Sequence, residues 1–179
     1  NSDVHSRLLS IRLNLKQYEQ VRIVSRLKEC ESALYALSRR QQLGRFDPQN
    51  VETYSLSTLR DLVGIRVLVF PSQRLEQVHA ALLPLLSDWS ADPVPGIEVG
   101  DAPIGLKYYG RCASASTDVT AEIQIVSSLI GSFWEVEHSA LYKTSPDLQG
   151  VADSFSMRKR QRDVHAALHE FEVEFERLI

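Results

Sequence analysis

Apolar positions along the chain follow two periods, one near 3.6 residues and one of 2, and the changes between them mark out the elements. Val4, Leu8, Leu9, Leu15 and Tyr18 fall near helical spacing over Val4–Glu19, although Leu9, Ile11, Leu13 and Leu15 also alternate. Val21–Val24 reads as a short strand. Leu27, Cys30, Leu34 and Leu37 share one side of a helix predicted over Leu27–Gln42, with Gly44 just past its end as a stop. Arg45–Ser57, with Pro48 and several turn formers, is a loop.

Ile65–Phe70 is β-branched and apolar, a central strand with the single charge of Arg66 embedded in it. Pro71 opens a helix predicted to run to about Leu86, with Leu75, Val78, Leu82 and Leu85 or Leu86 inward. Ser87–Ile104, broken by Pro93, Pro95 and Pro103, is loop with room for one edge strand. Lys107–Ser116 and Val119–Val126 form two adjacent strands joined at Thr117-Asp118. Ser127 or Ser128 caps a helix to about Tyr142, and Pro146 ends any continuation. Ser156–Ile179 is a long terminal helix with Val164, Leu168, Phe171, Phe175 and Leu178 along one stripe. The order predicts an α/β (α+β) fold, a mixed sheet flanked by helices, with residues 1–155 as the domain and 156–179 as a helix for packing or oligomerisation.

Composition narrows the classes. At 179 residues, 44% apolar and 24% charged, the chain has enough material for a core and is not a disordered tail. A net charge of −3 argues against a general nucleic-acid or anionic-membrane binder. Cys30 and Cys112 are too few for a disulfide framework. No apolar run spans a membrane and Asn1–Arg12 does not resemble a signal peptide, so a cytoplasmic protein is the expectation. A first residue of Asn rather than Met is compatible with a fragment of a longer protein.

The total charge conceals its distribution. Arg22–Arg45 holds six basic and two acidic residues, so 6 − 2 gives +4, whereas Leu75–Leu106 holds five acids and no Lys or Arg. Arg26 and Lys28 sit where a strand passes into a helix, a junction that suits polyphosphate. Asp61 precedes the apolar strand, and Glu122 shares a strand face with Gln124 and Val126, opposite Ile123 and Ile125. A carboxylate on a sheet face is costly unless solvated, paired or bound to metal. Asp61 and Glu122 could hold Mg²⁺, and a solvated Glu122 paired with an arginine is the alternative. His138 stands four residues after Trp134, a spacing that stacks rings on one helix face. His165 and His169 share that spacing without an HExxH-type acid and read as surface residues rather than a zinc site.

Four stretches together resemble the synthetase domain of the RelA/SpoT family, most of all its small single-domain alarmone synthetases. They are Arg26-Leu27-Lys28 followed by Ser32, Leu59-Arg60-Asp61-Leu62-Val63-Gly64-Ile65-Arg66-Val67, Ala121-Glu122-Ile123-Gln124-Ile125, and the helix from Phe133-Trp134 through Glu137-His138 to Tyr142-Lys143. The resemblance implies a nucleotidyltransferase-like sheet and transfer of pyrophosphate from ATP to the 3′-hydroxyl of GDP or GTP. It also implies Mg²⁺ on Asp61 and Glu122, with Glu122 taking the proton of the attacking hydroxyl. Arg26, Lys28 and Ser32 would hold the ATP phosphates, and Arg66 would stack on adenine or reach a phosphate. Lys107, Tyr109 (or Tyr108), Gln124, Glu137, His138 and Lys143 would face the acceptor nucleotide. The chain departs from the family where its acceptor stretch Lys107–Ser114 carries no histidine, where Val126 replaces a basic residue, and where Ala36 replaces a lysine. A relative using an adenine nucleotide or tRNA as acceptor, and a catalytically degenerate nucleotide-binding regulator, are the alternatives. The terminal helix is a candidate surface for homo-oligomers, as in the small synthetases.

Overall fold

The computed structural model describes residues 14–50, 53, 55–93, 98–99, 102–103, 105–111, 119–139 and 155–179. Most of the predicted helix Val4–Glu19, the Thr117-Asp118 turn, Cys112, Tyr142 and Lys143 lie outside them. The elements are β1 (Gln20–Leu27), α1 (Cys30–Gln42), β2 (Val63–Phe70), α2 (Leu75–Leu82), β3 (Ser90–Pro93), β4 (Glu98–Val99), β5 (Ala102–Pro103), β6 (Gly105–Arg111), β7 (Thr120–Ser127), α3 (Ser128–Glu137) and α4 (Phe155–Leu178).

Five strands form one mixed sheet in the order β1-β2-β7-β6-β3, while β4 and β5 pair separately. Only the central β2–β7 pair is parallel, and β1, β6 and β3 join antiparallel. The expected edge strand is β3, placed there with Pro93 at its end, where a missing ladder donor costs nothing.

The period-2 alternation gives the sheet two unlike faces. On one, Ile65, Val67, Val69, Ile123 and Ile125 are almost wholly buried beneath Leu75, Val78 and Leu82 of α2 and Leu86 beyond it. Tyr108 joins this face and shares a hydrogen bond with His79 of α2. On the other, Leu68 and Val126 meet Ile130 of α3, with Val24, Trp134 and Leu168 around them. Gly131 permits that close approach: a β-carbon there would lie 2.4 Å from Leu68 Cδ2 and 3.1 Å from Val126 Cγ1. Ser127 caps α3 by accepting from the Ile130 amide at 3.5 Å.

Three expectations change. The helix after Pro71 is regular only over Leu75–Leu82, with single tight turns at Ser72–Arg74 and Leu83–Leu85 on either side. The helix predicted from Leu27 begins at Cys30, Leu27 closing β1 instead, and within it only Ala33 is buried while Leu34 stands exposed. In α4, His165, read as a surface residue, is buried together with Glu172, while Val164, Phe171 and Leu178 of the apolar stripe are exposed. The reason is polar pairing. Glu172 Oε2 accepts from the Ser72 amide at 3.0 Å and Oε1 from the Ser127 hydroxyl, while His165 Nε2 accepts from Trp134 Nε1 at 2.9 Å. His165 is therefore a buried residue, not a surface one. Phe175 completes that side against Phe70 and Tyr18, ring centroids 5.2 and 5.9 Å away.

Candidate active site

On the α3 face, strand pairing lines up chemistry in rungs. Arg26 of β1 stands opposite Gly64 of β2, Gly64 opposite Glu122 of β7, and Glu122 opposite Tyr109 of β6. The next rung is Val24, Arg66, Gln124 and Lys107. Directly opposed residues project to the same face, so charged groups distant in sequence converge there. The absent side chain of Gly64 makes the space over which Arg26 lies; a β-carbon would sit 3.3 Å from both Cγ and Nε of Arg26.

These rungs floor a cavity of about 390 Å³. Arg26, Arg66, Glu122 and Gln124 line it from the sheet, and Trp134, Glu135, Glu137 and His138 from α3 and its end. Arg66 donates from Nε to Gln124 Oε1 at 3.1 Å and from NH1 to the Gly131 carbonyl at 3.2 Å. Gln124 donates in turn to Glu122 Oε1, and Lys107 Nζ lies 3.7 Å from that oxygen. Burial first, and then the Arg26 guanidinium, lower Arg66 from the ordinary arginine value, while Glu135 and Glu122 oppose them. A guanidinium remains charged regardless, so two cations share one concave wall, an arrangement that an anionic ligand relieves. Burial raises the Glu137 carboxyl, against a hydrogen bond from Gln161 of α4.

The predicted site residues thus divide. Arg26, Arg66, Glu122, Gln124, Glu137 and His138 line the one cavity, and Lys107 and Tyr109 adjoin Glu122. The register separates the two tyrosines, sending Tyr109 to this face and Tyr108 to the core. Lys28 and Asp61 do not line the cavity; they pair at 2.5 Å where β1 ends and β2 begins. Ser32 is half-buried on α1, outside the lining. Sequence reasoning missed Arg60, whose guanidinium lies 5.7 Å from the Tyr109 ring centroid, and the Gly131 carbonyl. Arg60 stands within the Leu59–Val67 stretch, where a signal was present but no site role was given to it, whereas no local pattern announces a backbone acceptor. Trp134 bonds His165, a partner its spacing to His138 did not suggest.

Among the described residues, no three His, Cys, Asp or Glu side chains gather as metal ligands. No described helix is long and apolar enough to cross a membrane.

No protein-family model matches the chain, and no curated protein matches it by sequence. Its fold is nevertheless defined: a mixed five-stranded sheet flanked by helices, with a C-terminal helix, the fold of the small alarmone synthetases. Small alarmone synthetase 1 from Bacillus subtilis superposes with a TM-score of 0.64 at 20% identity, covering 99% of this chain and 88% of that one. The same enzyme bound to its product pppGpp gives 0.62 at 20% identity, covering 99% and 89%. Small alarmone synthetase 2 from Bacillus subtilis gives 0.58 at 17% identity, covering 99% and 89%.

Proposed function

We propose that the chain is a pyrophosphokinase, transferring the β,γ-pyrophosphoryl group of ATP to the 3′-hydroxyl of GDP or GTP and releasing AMP. One observation carries the reading: Arg26, Arg66 and Glu122 converge on a single cavity of a sheet whose fold is that of alarmone synthetases. The solved complexes of small alarmone synthetase 1 with AMPCPP and with pppGpp support nucleotide substrates for this cavity. Phosphoryl-type transfer asks for positioning and charge neutralisation more than covalent chemistry. Arg26 and Arg66 supply fixed positive charge to the donor phosphates or base. Glu122, half-buried and backed by Gln124, is placed to take the proton from the attacking hydroxyl.

The reading assigns a hard cation to two carboxylates that stand apart: Glu122 lines the cavity, and Asp61 lies outside it, paired with Lys28. Asp61 and Glu122 offer carboxylate oxygens, and phosphate oxygens would complete the shell of Mg²⁺, which retains few protein ligands. When bound, Mg²⁺ would neutralise charge on the transferring group. Lys28 already neutralises Asp61 at 2.5 Å and stands ready to exchange that partner for phosphate.

The test is AMP formation from labelled ATP with GDP, GTP, ADP and tRNA in parallel at millimolar Mg²⁺. GDP- or GTP-dependent AMP release that disappears in Glu122→Gln is expected. Release only with ADP or tRNA would move the acceptor, and ATP binding without AMP formation on any acceptor would overturn the enzyme reading in favour of a regulator.

A further inference from the structure

The amide of Gln124 touches both halves of the cavity's chemistry. Its Oε1 accepts from Arg66 Nε at 3.1 Å, and its Nε2 donates to Glu122 Oε1. Strand geometry makes this contact possible. Gln124 stands directly across the parallel pair from Arg66, and Glu122 is two residues along the same strand, hence on the same face. The two neighbours dictate one orientation of the amide. Turned over, it would set an NH₂ against the Arg66 N–H and an oxygen against a carboxylate. Both of its ends are thereby occupied by protein.

We propose that Gln124 is a positioning residue that locks the Arg66 guanidinium to the Glu122 carboxylate, rather than a contact to the acceptor nucleotide. For the identity of the ligands this rests on the pyrophosphokinase reading. Arg66 is held from two elements, by Gln124 of β7 and by the Gly131 carbonyl of α3, so the plane of its guanidinium is set before a ligand arrives. Loss of the Gln124 bond leaves a long side chain to be ordered on binding. The cost of immobilising one such side chain corresponds to roughly a 2- to 12-fold loss of affinity. That loss falls on the ligand Arg66 serves. The donor end of Gln124 acts on Glu122 and therefore on turnover.

Two variants separate the two ends. Gln124→Met has similar size and neither accepts nor donates strongly. Gln124→Glu still accepts from Arg66 but sets a second carboxylate beside Glu122. Calorimetry with a non-hydrolysable ATP analogue and with GDP, AMP-formation kinetics, and the ¹⁵N NMR signal of Arg66 Nε–H (assigned with Arg66→Lys) give independent readouts. Gln124→Met is expected to lower analogue affinity about 2- to 12-fold, speed exchange of the Arg66 Nε–H and leave GDP affinity unchanged. Gln124→Glu is expected to retain analogue affinity within about 2-fold while kcat collapses. Weakened GDP binding in Gln124→Met, with analogue affinity and the Arg66 signal unmoved, overturns the proposal. A wild-type protein that binds no analogue and forms no AMP sinks the pyrophosphokinase reading instead, and the Arg66 signal in the two variants then decides the role of Gln124 by itself. If Gln124→Met does not fold, Gln124→Glu decides: retained analogue affinity and Arg66 signal with unchanged GDP affinity and collapsed kcat support the proposal, and weakened GDP binding or an intact kcat overturns it.

Discussion

Removing the Glu172 carboxylate is predicted to be among the most damaging single changes available to this fold. The residue is fully buried on α4 and accepts the Ser72 amide at 3.0 Å and the Ser127 hydroxyl. It therefore ties together the turn after β2, the cap of α3 and the terminal helix. In Glu172→Ala two buried donors lose their acceptor, each at about 1–3 kcal/mol, so the expected loss is about 2–6 kcal/mol. That is a large share of the ~5–15 kcal/mol typical of a domain. Glu172→Gln is the informative control. Its carbonyl can still accept from Ser72 while its amide donates to the Ser127 oxygen, so the three elements stay linked although the Ser127 hydroxyl proton must turn away from this residue. Its stability is expected within about 1 kcal/mol of wild type. Urea unfolding followed by tryptophan fluorescence measures both, with an unchanged m value confirming that the same transition is compared. An alanine variant within about 1 kcal/mol of wild type, or a glutamine variant as damaged as alanine, would refute this account of the three-way junction.

Gly131→Ala places a β-carbon 2.4 Å from Leu68 Cδ2, so overpacking should cost about 1–3 kcal/mol in the same assay. Gly64→Ala meets only the flexible Arg26 side chain, at 3.3 Å, so analogue affinity should fall several-fold on calorimetry while the urea midpoint hardly moves. Burial holds His165 below the ordinary imidazole value. The unfolded chain therefore takes up a proton near pH ~6.5 that the folded chain refuses, and stability falls as pH drops from there towards the folded value. His165→Gln, which can still accept from Trp134, should flatten that slope in urea midpoints measured from pH 5 to 7.5.

The alternation of Glu122 and Gln124 against Ile123 and Ile125 told correctly which side chains share a face, because a strand's period depends on nothing beyond itself. The lone charge of Arg66 in an apolar strand likewise marked a polar site, since a guanidinium there requires partners. Helical faces were read less well. In α4 the apolar stripe left open whether it covers the sheet or pairs with another copy; Val164, Phe171 and Leu178 are exposed, and the helix buries His165, read as a surface residue, and Glu172. In α1 Leu27 was placed on one helix side with Leu34, yet it ends β1, and both are exposed. Periodicity announces a helix and offers candidate faces, but the element that covers it selects among them.

That selection is made by groups far away in the chain. Ser72 and Ser127 lie 100 and 45 residues from Glu172, and Trp134 lies 31 from His165. No local window contains both halves of such a pair, and the same holds for Tyr109, sent to the site rather than the core by its register with Glu122. Residue types and periods determined which groups were available for chemistry and which strands carried them. Strand order, register and buried hydrogen bonds decided which of them meet, because a polar group leaves water only where its partner is already waiting.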